Sequence, residues 1–221
     1  MSGIEIDRSE PLVRTPQEIY DKMRSTCAQL DQGGVDLILG LARTHHTWSD
    51  APVSEEDLKA IYALTRNGPT STNTCPGRFV FVVSSEGKKL LSSCVNPGNR
   101  DKVLSAPALV IAAYDPTFWT FMPKLFPHVD RRSAFENDTL LAENTAFRNA
   151  TLQAAYLMIS ARALGFDVGA MSGFSGPEVD AAFLAEKQWK SNFIISIGRA
   201  DASGLMPKLP RLSFEEACSF V

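Results

Sequence analysis

Residues 141–174 read LAENTAFRNATLQAAYLMISARALGFDVGAMSGF, and they carry most of the longest helical pattern in the chain. The pattern predicts a helix over residues 140–164 that ends at Gly165, a residue type favoured just beyond helix ends. Alanine is frequent in this stretch, and residues 149–160 include no charged side chain. We therefore expect the helix to be buried on most of its faces.

Three short apolar runs are typical of buried strands, and helical patterns lie around them. The runs are residues 79–83, 108–114 and 191–197. The main helical patterns cover residues 15–30, 35–43, 54–64, 86–93, 101–104 and 175–178. The first opens on Thr15-Pro16-Gln17-Glu18, a capping box with proline in the first turn. Because strand–helix–strand units are too few for a doubly wound sheet, we predict an α+β fold with a central, mostly antiparallel sheet wrapped by helices.

The bulk composition is that of an ordinary globular protein without electrostatic attraction to nucleic acid or membrane. Of the 221 residues, 44% are hydrophobic and 21% are charged, and the formal net charge is -3. A weakly negative chain lacks the basic surface that nucleic acids and anionic membranes attract. The sequence starts with no apolar leader, and no apolar run is long enough to span a bilayer. We therefore expect a cytoplasmic protein with reduced thiols.

Several common kinds of active site lack their sequence signatures. Cys27, Cys75, Cys94 and Cys218 form no CxxC pair, and the histidines complete no zinc spacing, so no metal site is predicted. Residues 169–173 read GAMSG, with the serine one position late for a G-x-S-x-G hydrolase motif. Neither G-x-G-x-x-G nor a phosphate-binding loop occurs. A dehydrogenase would therefore need another cofactor to carry the hydride.

Two polar clusters lie in the first half of the chain. Residues 43–48, RTHHTW, offer cations and hydroxyl groups beside an aromatic ring, which would suit an organic phosphate. They would equally suit a helix C-terminus whose dipole meets basic residues. Residues 68–76, GPTSTNTCP, would let a flat polar ligand approach the backbone closely. A solvated turn before a strand is the alternative.

Two further clusters lie later in the chain. Residues 99–102, NRDK, could hydrogen-bond the edge of a heterocycle and place a positive charge near a developing anion, or simply start a surface helix. Residues 171–174, MSGF, could aim backbone N–H groups at a ligand, while Lys208 and Arg211 bring cations to a phosphate. Read singly, these are also ordinary turn and tail residues.

In this order, the clusters and their flanks resemble the FMN-dependent nitroreductase family. The matching stretches are ARTHHTW, IYALTRNGPTSTNTCPGRFVF, KSNFIISIG, LPRLSFEEA and the stretch quoted at the outset. The resemblance covers residues 37–221 and covers residues 1–36 least. It implies an N-terminal helical extension over residues 1–36 and a single FMN-binding domain with the nitroreductase-like fold over residues 37–221.

The resemblance also implies an assembly and a reaction. The family forms interlocked homodimers with one FMN in each of two clefts at the interface, and the tail would embrace the partner. NADH or NADPH would give a hydride to the flavin, and a small organic acceptor would then take it. Within the family, the chain looks closest to the malonic semialdehyde reductases of pyrimidine degradation, which implies reduction of malonic semialdehyde to 3-hydroxypropanoate. The alternatives are a broad nitro- or quinone reductase and a flavin-binding protein without efficient turnover.

Carried over by position, the resemblance assigns cofactor-binding roles to fourteen residues. The phosphate would be held by Arg43, Thr44, His45, His46, Lys208 and Arg211. The loop against the flavin would comprise Pro69, Thr70, Ser71 and Asn73. The pyrimidine edge would be bonded by Asn99 and Lys102, and the turn near flavin N5 would be Ser172 and Gly173.

This chain departs from the family pattern at two places. His45-His46 stands where most members carry a second arginine or lysine, and Ser172 stands where many have glutamate. No general acid is evident, so the hydroxyl groups of Thr70 and Ser71 are the candidate proton donors. An acidic substrate would need a further cation, for which the candidates are Arg100, Arg131 and Arg148.

Overall fold

A four-stranded antiparallel sheet forms the centre of the computed structural model, which describes residues 15–221. The strands are β1 Gly77–Val82, β2 Ala108–Tyr114, β3 Asp167–Met171 and β4 Lys190–Gly198. Their order across the sheet is β1-β2-β4-β3, and every neighbouring pair is antiparallel. The three predicted strands are confirmed as β1, β2 and β4, and β2 has the predicted bounds.

The described residues form ten α-helices. They are α1 Pro16–Thr26, α2 Gln32–Val35, α3 Glu55–Thr65, α4 Ser85–Ser93, α5 Arg100–Ser105, α6 Met122–Leu125, α7 Arg132–Glu136, α8 Thr139–Ala163, α9 Gly176–Val179 and α10 Phe214–Ala217. Helices α2 and α9 each continue into a π-helical turn, Asp36–Gly40 and Asp180–Leu184. The predicted capping box at Thr15 and Glu18 is present, although α1 ends at Thr26 rather than at residue 30.

Both faces of the sheet are covered, which places the apolar core in two layers. One face packs against α3 and α8 through residues such as Ile61 and Leu157. The other face packs against α4, α5 and α9 through residues such as Leu91 and Val103. Every residue of β2 is buried, because alternate side chains enter opposite layers. The predicted α+β class is confirmed.

Strand β3 was not predicted, because its sequence DVGAM has little of the β-branched and aromatic character typical of strands. Tertiary packing nonetheless places it at a sheet edge. The backbone of Thr44 forms a parallel bridge with Val168, and the His45 amide donates to the Val168 carbonyl over 3.1 Å. A Cβ atom at Gly169 would collide with the carbonyl oxygen of His45. Glycine at this position thus allows residues 43–46 to lie directly against β3.

Helix α8 has the predicted position, but the expectation that most of its faces are buried is wrong for a single chain. Its small residues, among them Ala146 and Ala154, are buried against the sheet side of the molecule. The opposite side exposes Leu140 at 70% and Phe147 at 49%. The lack of charged residues in 149–160 suggested that the helix is buried all round. In a single chain, however, only one face of the helix packs against other elements. As predicted, Gly165 ends the helix, with a φ of 77°.

No helix within residues 15–221 combines the length and apolar character needed to cross a membrane. In the same part of the chain, no cluster of three or more His, Cys, Asp or Glu side chains is placed to hold a metal ion. The predicted N-terminal extension falls partly on residues 1–14, which lie outside the described residues, and the division at residue 36 stays a prediction.

Candidate functional site

A cavity of about 850 Å³ lies where residues 39–46 meet the tail segment 204–211 and the last turn of α8. Its wall brings together five of the residues predicted to bind phosphate and one arginine that was not predicted. The polar members are Arg43, Thr44, His46, Arg162, Lys208 and Arg211. Segments more than 150 positions apart in sequence therefore supply one cationic surface, referred to below as the cation cavity.

Side-chain bonds to backbone carbonyls hold the two segments of the cation cavity together. Arg43 donates from its guanidinium to the Met206 carbonyl, and Lys208 Nζ donates to the Gly40 carbonyl over 2.7 Å. Arg211 donates to carbonyls of its own segment, at Leu209 and Pro210. The bonds run in both directions across the cavity mouth, so the tail and residues 39–46 fix each other in place.

The positive charge of the cation cavity is not neutralised by carboxylates of the described chain. Every acceptor recorded for Arg43, Arg162, Lys208 and Arg211 is a backbone carbonyl. Among residues 15–221, none of these four side chains lies within salt-bridge distance of an acidic group. Clustered cations without counter-charges attract anions, and arginine forks match phosphate oxygens in geometry. The cavity is therefore chemically suited to an anionic group such as a phosphate.

The structure separates the two adjacent histidines. His45 is only 8% exposed, and its Nε2 atom lies 3.4 Å from Asp167 Oδ1. It does not line the cation cavity, whereas His46 does. Burial, reinforced by the charges of Lys102 and His45, holds the pKa of His46 below its usual value. His46 is therefore suited to act at neutral pH as an uncharged hydrogen-bonding partner, and the positive charge comes from arginine and lysine.

The third and fourth sequence clusters meet each other beside the cavity. Lys102 Nζ donates to Asn99 Oδ1 over 3.2 Å, and Asn99 Nδ2 donates to the Gly173 carbonyl over 3.0 Å. A Cβ atom at Gly173 would lie 2.7 Å from Asn99 Nδ2, so the close approach depends on glycine. The positive charge of Lys102 also contributes to lowering the pKa of His46, a residue that lines the cation cavity. Ser172 is exposed just after β3.

The predicted flavin-facing loop lies at the other edge of the sheet, immediately before β1. The amide of Ser71 donates to Asn149 Oδ1 over 2.8 Å, and Asn73 Nδ2 donates to the Leu125 carbonyl over 2.8 Å. Three non-glycine residues of the segment 68–76 have positive φ: Thr72 at 45°, Asn73 at 52° and Cys75 at 43°. Such backbone conformations cost free energy and persist only where the surroundings impose them. Here the buried Asn149 of α8 supplies one such contact.

Within one chain, the loop and the cation cavity do not form a continuous site. No recorded hydrogen bond between described residues joins Pro69, Thr70, Ser71 or Asn73 to the cavity, and none of the four lines it. Thr70 Oγ1 instead accepts a bond from the Cys75 amide over 3.2 Å. The predicted site residues thus form two groups, one at the β3 edge and one at the β1 edge.

Arg162 is the residue of the cavity that sequence reasoning missed. It stands in the last turn of α8, where a cation is an ordinary partner of the helix dipole, so its residue type carried no specific signal. The three arginines considered for an acidic substrate behave differently from it. Arg100, Arg131 and Arg148 are all exposed, and none of them lines the cation cavity.

Comparisons with known proteins identify relatives of the chain. A family model described as the nitroreductase family matches residues 42–199. A candidate NADH dehydrogenase/NAD(P)H nitroreductase of Stutzerimonas stutzeri is 48% identical over 191 residues, covering 86% of this chain and 97% of that protein. A protein of Polynucleobacter asymbioticus with the same description is 52% identical over 177 residues, covering 80% of this chain and 90% of that protein.

Solved structures share the fold at low sequence identity. A candidate nitroreductase of Bacillus subtilis superposes with a TM-score of 0.78 at 20% identity, covering 86% of this chain and all of that chain (100%). A candidate nitroreductase of Exiguobacterium sibiricum, solved in complex with FMN, gives a TM-score of 0.76 at 20% identity, covering 87% of this chain and 99% of that chain. The predicted nitroreductase-like fold is thereby confirmed.

Proposed function

The chain belongs to the nitroreductase family, and on that premise we propose that it is an FMN-dependent NAD(P)H oxidoreductase whose cation cavity holds the FMN phosphate. The observation that carries the proposal is the set of cations on the cavity wall, which have carbonyl partners but no carboxylate partner among residues 15–221. A bound phosphate would supply the missing negative charge.

The side chains present fit each part of an FMN molecule. Arg43, Lys208 and Arg211 supply charged donors for the phosphate, and Thr44 and His46 add neutral ones. Asn99 and Lys102 supply an amide and an ammonium group for the polar edge of the flavin ring, as the family resemblance implies. The resemblance likewise assigns Ser172 and Gly173, which follow β3 directly, to the turn near flavin N5. His45 is the weakest member of the assigned set, because its ring is directed to Asp167.

Bound FMN would supply the redox chemistry, accepting a hydride from NADH or NADPH and passing it to an organic acceptor. The protein's own residues bind, orient and supply charge. Lys102 places a fixed positive charge where negative charge would develop, and the close contact of Asn99 with Gly173 fixes the adjoining wall. Thr70 Oγ1 accepts a bond from the Cys75 amide over 3.2 Å and also lies 3.7 Å from Cys75 Sγ, so its hydroxyl hydrogen would have to leave the sulfur to be donated to a substrate. Thr70 and Ser71 stay the candidate proton donors.

We further propose that the protein is a homodimer in which each site takes residues from both copies. The loop at residues 69–73 lies away from the cation cavity of its own chain, and a second copy could bring its loop to that cavity. Helix α8 exposes Leu140, Phe147 and Leu152, and the tail exposes Leu212 at 70%. Large apolar side chains left exposed on a single chain are typical of surfaces that a partner covers. Analytical ultracentrifugation tests this proposal, and a monomer at micromolar concentration contradicts it.

For the acceptor, we propose malonic semialdehyde, reduced to 3-hydroxypropanoate. The support is the resemblance described above, in which the chain looks closest to the malonic semialdehyde reductases. The names of the two sequence relatives favour a different acceptor, a nitroarene or a quinone. Comparing kcat/KM for malonic semialdehyde, a nitroarene and a quinone decides between the two. Turnover of the aldehyde at the lowest rate of the three contradicts our acceptor assignment.

Cofactor binding is tested on protein stripped of any flavin. Titration with FMN should give close to one FMN per chain, with affinity that falls as salt is added, because the phosphate contact is electrostatic. A matched pair of variants, Arg43→Met in the cavity and Arg66→Met on the exposed end of α3, should differ in FMN affinity. A wild-type protein that takes up no FMN contradicts the proposed function.

A further inference from the structure

Arg162 connects the core helix to the wall of the cation cavity. From the last turn of α8, its Nη1 atom donates to the Ile38 carbonyl over 3.2 Å. Its Nη2 atom donates to the Arg43 carbonyl over 3.4 Å. One guanidinium therefore spans the π-helical turn Asp36–Gly40 and the residue that carries the first cavity cation. The two Nη atoms of the arginine fork can reach two separate carbonyls at once, whereas the single ammonium group of a lysine could not reach both.

The environment of Arg162 is costly for a cation. The side chain is half-buried, and burial holds the pKa of Arg162 below its usual value, with Asp167 acting in the opposite direction. No carboxylate of residues 15–221 lies within salt-bridge distance of it. It shares the cavity wall with Arg43, Lys208 and Arg211.

We propose that Arg162 is a positioning residue of the anion site, which holds the backbone of Arg43 so that the Arg43 guanidinium crosses the cavity towards the tail. The inference rests on the proposed function, in which the anion is the phosphate of FMN. Arg162 fixes the carbonyl of Arg43, and the Arg43 side chain reaches the Met206 carbonyl on the far side. The two bonds from Arg162 to the carbonyls of Ile38 and Arg43 are called the clamp below. Without the clamp, the Arg43 side chain would be free to leave the cavity wall.

Arg199 offers a matched control at the same end of α8. It donates to the Gly165 carbonyl, and its guanidinium lies 4.5 Å from the centre of the Phe166 ring. It is thus an arginine that binds a backbone carbonyl next to α8, like Arg162, but it does not line the cation cavity. A purely structural role for such an arginine would be disturbed in both Arg162→Met and Arg199→Met.

The test compares FMN with riboflavin, which lacks only the phosphate. In Arg162→Met, the ratio of FMN affinity to riboflavin affinity should fall about tenfold, while riboflavin affinity stays within twofold of wild type. Arg162→Lys keeps the charge but cannot span two carbonyls, and the ratio should fall about threefold. Arg199→Met should leave the ratio unchanged. A wild-type ratio in both Arg162 variants, or equal losses for the two flavins, overturns the proposal.

A double-mutant cycle tests whether Arg162 acts through Arg43. The FMN-to-riboflavin ratio of Arg43→Met/Arg162→Met should equal that of Arg43→Met alone, because the clamp has nothing left to position. Multiplicative losses in the double variant overturn the positioning role. The aliphatic part of methionine preserves most of the packing of the arginine stem, so the variants are expected to fold.

Titration with inorganic phosphate separates this inference from the proposed function. If the wild-type chain binds neither flavin but binds phosphate, the proposed function fails, and the dependence of phosphate affinity on Arg162 still tests the clamp. Weaker phosphate binding in Arg162→Met than in Arg199→Met supports the clamp, and equal binding overturns it. A wild-type chain that binds neither flavin nor phosphate overturns both.

Discussion

The side-chain amide of Asn99 donates a 3.0 Å hydrogen bond to the backbone carbonyl of Gly173, and this contact joins the start of α5 to the segment after β3. The backbone amide of Asn96 donates to the same carbonyl over 3.0 Å. Two loops that are more than 70 residues apart in sequence are thus held by one carbonyl oxygen. The contact matters because Lys102, which bonds Asn99, is the cation assigned to the flavin ring.

Gly173→Ala should weaken FMN binding and lower stability modestly. The new Cβ would lie 2.7 Å from Asn99 Nδ2, so the Asn99 side chain must move and lose its bond to the carbonyl. Loss of one such bond costs about 0.5–1.5 kcal/mol of stability, and the displaced Asn99 amide would no longer face the flavin, so FMN affinity should fall. Fluorescence titration measures it. The control is Gly98→Ala, whose Cβ meets nothing within 4 Å, and equal affinities in the two variants contradict the assignment.

Arg211→Met should release FMN more readily. Truncating one partner of a buried charge pair costs about 2–5 kcal/mol. Arg211 is exposed in a single chain, so we expect a cost at the lower end of this range, which raises the Kd for FMN at least tenfold. Riboflavin affinity should change little. Arg66→Met, an exposed arginine outside the cavity, is the control. Undiminished FMN content after dialysis of Arg211→Met would contradict the assignment of Arg211 to the phosphate site.

Gly169→Ala should destabilise the protein, because a Cβ atom there meets the backbone carbonyl of His45, which cannot rotate away. Forcing extra volume into a packed contact costs about 1–3 kcal/mol, and here it also displaces residues 43–46 from β3. Urea unfolding measures the loss. In Gly176→Ala the nearest atom, Ser191 Oγ, lies 3.6 Å from the new Cβ, so no loss is expected. Equal stability of the two variants would show that the Gly169 contact is unimportant.

Tyr114 should make stability depend on pH in the alkaline range. Burial, together with the charge and hydrogen bond of Glu143, raises the pKa of Tyr114 from 10.0 to about 12. A raised pKa means that the folded state favours the neutral phenol, so its contribution is complete below pH 10 and is lost as pH rises towards 12. At about 1.4 kcal/mol per pKa unit, the difference between 10.0 and about 12 corresponds to a loss on the order of 3 kcal/mol.

Tyr114→Phe tests this pH dependence, because phenylalanine has no ionisable hydroxyl group. The free energy of unfolding should fall less between pH 9 and pH 11.5 in the variant than in wild type. Lys190 also donates to Glu143, over 2.6 Å, so Lys190→Met serves as the control for titration of the lysine in the same pH range. Parallel curves for wild type and Tyr114→Phe would count against a raised tyrosine pKa.

Elements with a strong local pattern were predictable from the sequence, and elements set by tertiary contacts were not. Strand β2 was predicted with its bounds, because seven successive apolar residues indicate a strand buried on both faces. Strand β3 was missed, because Gly169 and Ala170 carry no strand signal and owe their conformation to neighbours. The exposed side of α8 was also missed, since residue type alone does not tell which partner covers an apolar face.

The composition of the candidate site was partly predictable, whereas its layout was not. The polar clusters marked Arg43, Lys208 and Arg211 as phosphate candidates, and the structure places these three on one cavity wall. Spacing alone could not show that His45 turns to Asp167 while His46 faces the cavity, because the two residues have the same chemistry. Arg162 gave no signal, since its role depends on carbonyls more than 110 positions away.

Anaerobic addition of NADPH, and separately NADH, to the FMN-loaded protein tests the proposed oxidoreductase activity directly when its visible spectrum is recorded. We expect that at least one of the two bleaches the flavin bands within seconds, and that malonic semialdehyde then restores them. Flavin that stays oxidised with both nicotinamides would contradict an NAD(P)H oxidoreductase and would leave a flavin-binding protein without turnover.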